Sequence, residues 1–105
     1  MFKSILQNDY RCYVCGKMWD LHIHHIFGGA RRKISDKNGC MVYLCAEHHT
    51  GRKGVHNCRE LDLSLKRLCE EEFVKIYGKE SFMRLFGKSY IDKEVEKDEK
   101  QSELF

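Results

Sequence analysis

The sequence predicts a single small α+β domain, with two short strands in its first half and helices in its second. Three observations predict it. The chain has 105 residues, 42% hydrophobic and 33% charged, the composition of one globular domain rather than of a disordered segment. Apolar and polar residues alternate roughly over residues 21–26, and a short apolar run precedes Cys45, as strands require. From residue 58 onward the apolar residues recur at three- and four-residue intervals, the period of a helix. A domain of this size buries about 60–65% of the surface its unfolded chain exposes, so something beyond apolar burial is expected to hold it together. Cysteine chemistry is the obvious source.

No stretch approaches the roughly 18 apolar residues of a membrane helix, and residues 1–9 lack the apolar run of a signal peptide. A cytoplasmic protein is the expectation, with no membrane partner. The six cysteines, Cys12, Cys15, Cys40, Cys45, Cys58 and Cys69, would make disulfides in a secreted chain; in a reducing compartment they read as thiolates on metal. The formal net charge is +3, unevenly spread: residues 1–56 hold nine Lys/Arg against four Asp/Glu, and the rest of the chain is net acidic. A basic front half suits a polyanion such as nucleic acid, and a mixed-charge back half suits solvated helices.

Residues 1–10 are expected to form a short helix, with Phe2, Ile5 and Leu6 on one side. Residues 21–26 and 41–44 read as strands, joined by a glycine-rich, basic loop over residues 27–39. Residues 46–50 can make a helical turn that Gly51 and Gly54 interrupt. The best helix starts at an Asn57 cap with Glu60 three residues on, carries Leu61, Leu65, Leu68, Cys69, Phe73 and Ile76 on one face, and stops at Gly78. A shorter helix over residues 79–86, with Phe82, Leu85 and Phe86 on one face, ends at Gly87. Residues 92–105 alternate acids and lysines and read as a solvated helix extension or a disordered end. The expected division is thus a core over residues 1–57, a helical extension over 58–91 and a charged tail.

Two thiolates spaced C-x2-C, Cys12 and Cys15, grip one face of a tetrahedral Zn²⁺, and Cys45-x2-His48 supplies the other two ligands. A Cys3His site of this kind pins residues about thirty apart in the chain and offsets the small core. His49 is the alternative fourth ligand; reduced, half-buried thiols without metal are the alternative to zinc altogether. Cys58 and Cys69 fall on the helix and read as core residues. Five further histidines remain: His22, His24, His25, His49 and His56. His22 reads as a surface strand residue. His24 and His25 are adjacent on a strand, so they face opposite sides and cannot do the same job.

The order Cys12-x2-Cys15, then Leu21-His22-Ile23-His24-His25-Ile26, then Tyr43-Leu44-Cys45-x2-His48-His49 resembles the HNH endonucleases with a zinc-stabilised ββα-metal fold, especially the small phage-type members. The likeness spans residues 12–57. It implies a zinc-bracketed ββα-metal core, with His24 ligating a divalent ion, Mg²⁺ or Mn²⁺, and His25 activating water as the general base. His49 would be a second ligand of that ion and His56 a third. The resemblance implies hydrolysis of DNA phosphodiester bonds leaving 5′-phosphate and 3′-hydroxyl ends, by a phage protein acting in a bacterial host. In the family's middle motif an asparagine helps orient the base; here either Asn38 or Cys40 occupies that position. Phe27-Gly28-Gly29 replaces the proline that often follows the histidine pair.

General chemistry agrees with these roles. A neutral imidazole can take a proton from water near physiological pH, and a divalent ion can polarise a phosphate oxygen. Arg31, Arg32, Lys33, Arg52 and Lys53 stand beside the expected site and can reach backbone phosphates, or they can simply be solvated surface. The competing function is a zinc-stabilised nucleic-acid-binding module without catalysis. A protein partner docking on the C-terminal helices is compatible with either.

Overall fold

A computed structural model describes residues 3–91. Its regular elements run β1 (Leu21–His25), a 3-10 turn (Gly29–Arg31), α1 (Arg32–Lys37), β2 (Met41–Cys45), α2 (Ala46–His49), α3 (Arg59–Tyr77) and α4 (Lys79–Phe86). The chain is α+β, as its patterning predicts. β1 and β2 pair antiparallel, with Leu21 opposite Cys45, His22 opposite Leu44 and His24 opposite Val42. Val42 and Leu44 are fully buried, so the ribbon face that carries His22 and His24 is the one turned toward the core.

Three sequence expectations give way here. Residues 3–10 form bends rather than a helix, because their polar groups are used elsewhere. The Ser4 hydroxyl accepts the amides of Leu6 (3.0 Å) and Gln7 (3.2 Å), and the Gln7 side-chain oxygen accepts the Tyr43 amide of β2 at 2.8 Å. Residues 1, 2 and 92–105, which include the expected charged tail, lie outside the described residues. The segment 27–39 is not merely a loop: it rolls into the 3-10 turn and α1. Ser35 locks it, its hydroxyl donating to the Cys40 carbonyl (2.6 Å) and accepting the Phe27 amide (3.2 Å). The helix cap moves as well. Cys58 is the N-cap of α3, while the Asn57 side chain donates to the carbonyls of Thr50 (3.2 Å) and Gly51 (2.9 Å) and folds the preceding loop onto α2.

The buried stripe of α3 is Leu65, Cys69 and Phe73, an i, i+4 row. Leu68 and Ile76, expected on that face, are 39% and 56% exposed, because a single layer of packing covers only the narrow row. The Cys40 thiol beside it and burial push the Cys69 thiol well up, as suits an inert core cysteine. Phe73 meets Phe82 and Phe86 of α4 edge to face, and Phe27 closes the group against Phe82, Phe86 and Tyr90. Residues 58–91 therefore share one core with the strands. Gly78 sits at φ +90° between α3 and α4, a conformation a side chain would strain. Glu70 is fully buried and ionically satisfied: Ser89 Oγ, the amides of Tyr90 (2.6 Å) and Ile91 (3.3 Å) and Lys79 Nζ (3.4 Å) all donate to it. Among the described residues no helix is long and apolar enough to cross a membrane.

Candidate metal centres

The first centre is built by the turn after residue 11 and the junction of β2 with α2. The Gly16 amide donates to the Cys12 carbonyl and the Cys12 amide to the Lys17 carbonyl, both at 2.8 Å, closing a tight knuckle. The Tyr13 amide donates to the Tyr43 carbonyl at 2.8 Å and fixes that knuckle to β2. Cys12, Cys15, Cys45 and His48 then place one donor atom each within 4.8 Å of the others. Cys15 Sγ lies 3.8 Å from Cys45 Sγ, and His48 Nδ1 lies 3.3 Å from Cys45 Sγ and 3.8 Å from Cys12 Sγ. A tetrahedral zinc with its usual bond lengths sets sulfur atoms about 3.8 Å apart and sulfur to nitrogen about 3.5 Å. The four residues fit the ion, and His48 rather than His49 faces the thiols.

The electrostatics point the same way. Burial raises the Cys12 thiol, but the amides of Cys45, Cys15 and Val14 outweigh it and hold Cys12 down at about 6. A thiolate is therefore ready at neutral pH. The Lys17 amide lowers Cys15, yet burial and the sulfur atoms of Cys12 and Cys45 win and raise it. Sulfur atoms crowded this closely resist ionising together, and a bound cation relieves that repulsion.

The second centre gathers His24 from β1, His49 from α2 and His56 from the loop before α3, again with one nitrogen each within 4.8 Å of the others. His49 Nε2 is 3.2 Å from His56 Nε2. Two imidazole nitrogens on one ion at about 2.1 Å stand about 3.0–3.4 Å apart. The close fold of the loop makes this possible. The Val55 amide donates to the His48 carbonyl at 2.9 Å, and a Cβ on Gly54 would come within 2.7 Å of His49 backbone atoms. Only glycine lets the loop lie against α2 and bring His56 over His49.

His24 is 4% exposed, and its Nε2 is buried with no hydrogen-bond partner. An unsatisfied buried nitrogen is costly, and the imidazoles of His49 and His56 lie beside it, with the Asp62 carboxylate near enough to act on the ring. Burial and the nearby rings of His49 and His56 pull His24 down to about 4; burial, then His56 and His22, also lower His49. Both shifts favour the neutral ring, the form that can offer a lone pair to a cation. The orphaned atom, the spacing and the neutral donors all fit a divalent ion.

His25 follows His24 but faces away from it, and its Nδ1 lies 2.5 Å from Asp36 Oδ1 of α1. That hydrogen bond places the proton on Nδ1 and leaves Nε2 as a base. Its ring remains near enough to contribute to the lowering of both His24 and His49. Neither Asn38 nor Cys40 meets His25: the Asn38 amide donates to the Ile34 carbonyl at 2.8 Å, and Cys40 is fully buried. Asp36 is the residue that the sequence missed, and no local pattern marks it, since it arrives only when α1 forms. His22 is exposed, as expected of a surface strand residue, but its Nδ1 also lies 2.9 Å from His49 Nδ1, a contact not expected. Its signal was present: residues two apart on a strand share a face, and His24 is two away.

The basic residues divide. Arg31 donates to the Leu85 carbonyl at 2.9 Å, so its guanidinium anchors α4. Arg32, Lys33, Arg52 and Lys53 are exposed. Cys58 stands before α3 rather than on it and, among the described residues, belongs to neither metal-ligating group. No protein-family model, curated protein or solved structure matches this chain.

Proposed function

We propose that the chain is a divalent-metal-dependent endonuclease that hydrolyses DNA phosphodiester bonds, as its resemblance to the HNH family implies. The observation that carries the reading is the buried, unpartnered His24 Nε2 facing His49 and His56, next in the chain to a histidine held by a carboxylate. In this reading His25 Nε2 draws a proton from the attacking water while Asp36 holds the ring and stabilises the imidazolium that forms. The water oxygen bonds to phosphorus, the bond to the 3′ oxygen breaks, and that oxygen leaves with the bonding pair and takes a proton from a solvent water to become a 3′-hydroxyl beside a 5′-phosphate. A divalent ion held by His24, His49 and His56 would polarise the phosphate and stabilise charge on the leaving oxygen. Arg32, Lys33, Arg52 and Lys53 offer salt-sensitive contacts to the backbone, with no side-chain arrangement for reading bases.

The donor set also narrows the ion. Three imidazoles without a carboxylate suit a borderline transition cation, whereas Mg²⁺ prefers oxygen ligands. Mn²⁺ should therefore support activity better than Mg²⁺. The test incubates purified protein with plasmid DNA and either ion, beside His25→Ala. Cleavage by the wild type, lost in a variant that still binds DNA, is the expected result. DNA binding without cleavage by either protein would instead identify a non-catalytic zinc-stabilised module.

A further inference from the structure

The geometry points to His22 as a positioning residue for the second centre: it fixes His49 in the tautomer that keeps Nε2 free to ligate an ion. This rests on the ion site proposed above. His49 uses both ring nitrogens, with Nε2 3.2 Å from His56 Nε2 and Nδ1 2.9 Å from His22 Nδ1. The His22 and His49 rings meet edge to face, with centroids 5.0 Å apart.

A neutral imidazole carries one N–H and one lone pair. Two nitrogens 2.9 Å apart with no cation between them cannot both present lone pairs, so of His22 and His49 one ring donates and the other accepts; the His49–His56 pair can both present lone pairs because the proposed ion lies between them. If His22 donated from Nδ1, His49 Nδ1 would accept, and the His49 proton would sit on Nε2, aimed at His56 and blocking ligation. The reverse arrangement leaves the site open. His49 donates from Nδ1, His22 accepts, and the His22 proton moves to its own Nε2. Partners of this type commonly orient metal-bound histidines, and losing one typically weakens metal binding about 10- to 100-fold. Since His22 is exposed and water can replace part of its role, the lower end of that range applies.

The strand explains how His22 comes to be there. It shares the face of β1 that carries His24 and stands opposite Leu44 in the register. One side of a short strand thereby supplies both a direct ligand and the acceptor that orients a second ligand on α2. Neither Asp36 nor His25 can perform this task, because they are hydrogen-bonded to each other through His25 Nδ1.

Two substitutions separate the acceptor from the bulk. Asn carries Oδ1 where His carries Nδ1, so His22→Asn keeps an acceptor; His22→Leu keeps a similar shape without one. The full-length chain with its zinc retained is titrated with Co²⁺, following the ion's visible absorption, and with Mn²⁺ by calorimetry. The expected result is affinity about 10-fold weaker in His22→Leu and within about threefold of wild type in His22→Asn. Nitrogen-15 long-range NMR of the wild type loaded with Zn²⁺ at the second centre should show His49 protonated at Nδ1. Equal affinity in His22→Leu and wild type, or a His49 proton on Nε2, overturns the role of His22 while leaving the ion site standing. A wild type that binds no second ion, with His49→Ala indistinguishable from it, overturns the ion site and the role of His22 together.

Discussion

The two metal centres lie close together in the chain, since His48 belongs to one and His49 to the other, yet they are built on opposite plans. The sulfur-rich centre offers four donors, from a knuckle, the end of β2 and α2, enough to complete a tetrahedron. The imidazole centre offers three donors, which would leave positions free on an ion held there. A saturated site can hold a fold but cannot bind a reactant; a site with open positions can. α2 divides the two by pointing consecutive histidines to different sides.

The largest difference should appear when each centre loses one ligand. Cys45→Ser removes a zinc ligand at the end of β2 and should abolish the cooperative unfolding transition seen by circular dichroism, because the zinc contributes folding energy directly. His49→Ala should leave that transition within a few degrees. If both variants unfold alike, the division of labour is wrong.

A smaller effect is expected at His25, the proposed base. Asp36→Asn keeps the shape of the side chain but loses the charge that would stabilise an imidazolium at His25 in the proposed reaction. Cleavage should slow about 10- to 100-fold, with metal affinity at both centres unchanged. Restored activity on raising the Mn²⁺ concentration would place Asp36 in ion binding instead.

The smallest effect is the share of the pH dependence of stability that belongs to the imidazole centre; Cys12 of the sulfur centre, held at about 6, adds its own share, and substitution at His24 separates the two. His24 ordinarily titrates at 6.5 and is held at about 4 in the folded chain. The unfolded chain therefore takes up a proton first as pH falls. Stability from this group is fully present above about pH 6.5 and is lost as pH drops toward 4. Between pH 7 and 5.5, without added divalent ion, the loss should be about 1 kcal/mol in urea unfolding. His24→Leu should remove that part of the slope.

The same contrast explains what could be read from the sequence. The four donors of the sulfur centre were readable from the spacings Cys12-x2-Cys15 and Cys45-x2-His48, with the choice between His48 and His49 decided only by the fold. The three imidazoles were identified only through a family likeness. Bringing them together depends on the close approach at Gly54, a tertiary fact. The strands and α4 followed from alternation and from glycine stops. α1 was invisible because a six-residue helix with Ile34 as its single large apolar residue has no periodicity to detect. Asp36 was lost with it. Gln7 and Glu70 are buried polar residues whose partners lie far along the chain, and local pattern does not predict such pairs.

The central claim, two cations of different kinds in one small domain, is tested most directly by metal analysis of the purified full-length chain after Mn²⁺ loading and exhaustive dialysis. One zinc per chain should survive dialysis, while one manganese per chain, present before it, should be lost. A chain that retains no zinc, or that never takes up manganese beyond a His24→Ala/His49→Ala control, would contradict the claim.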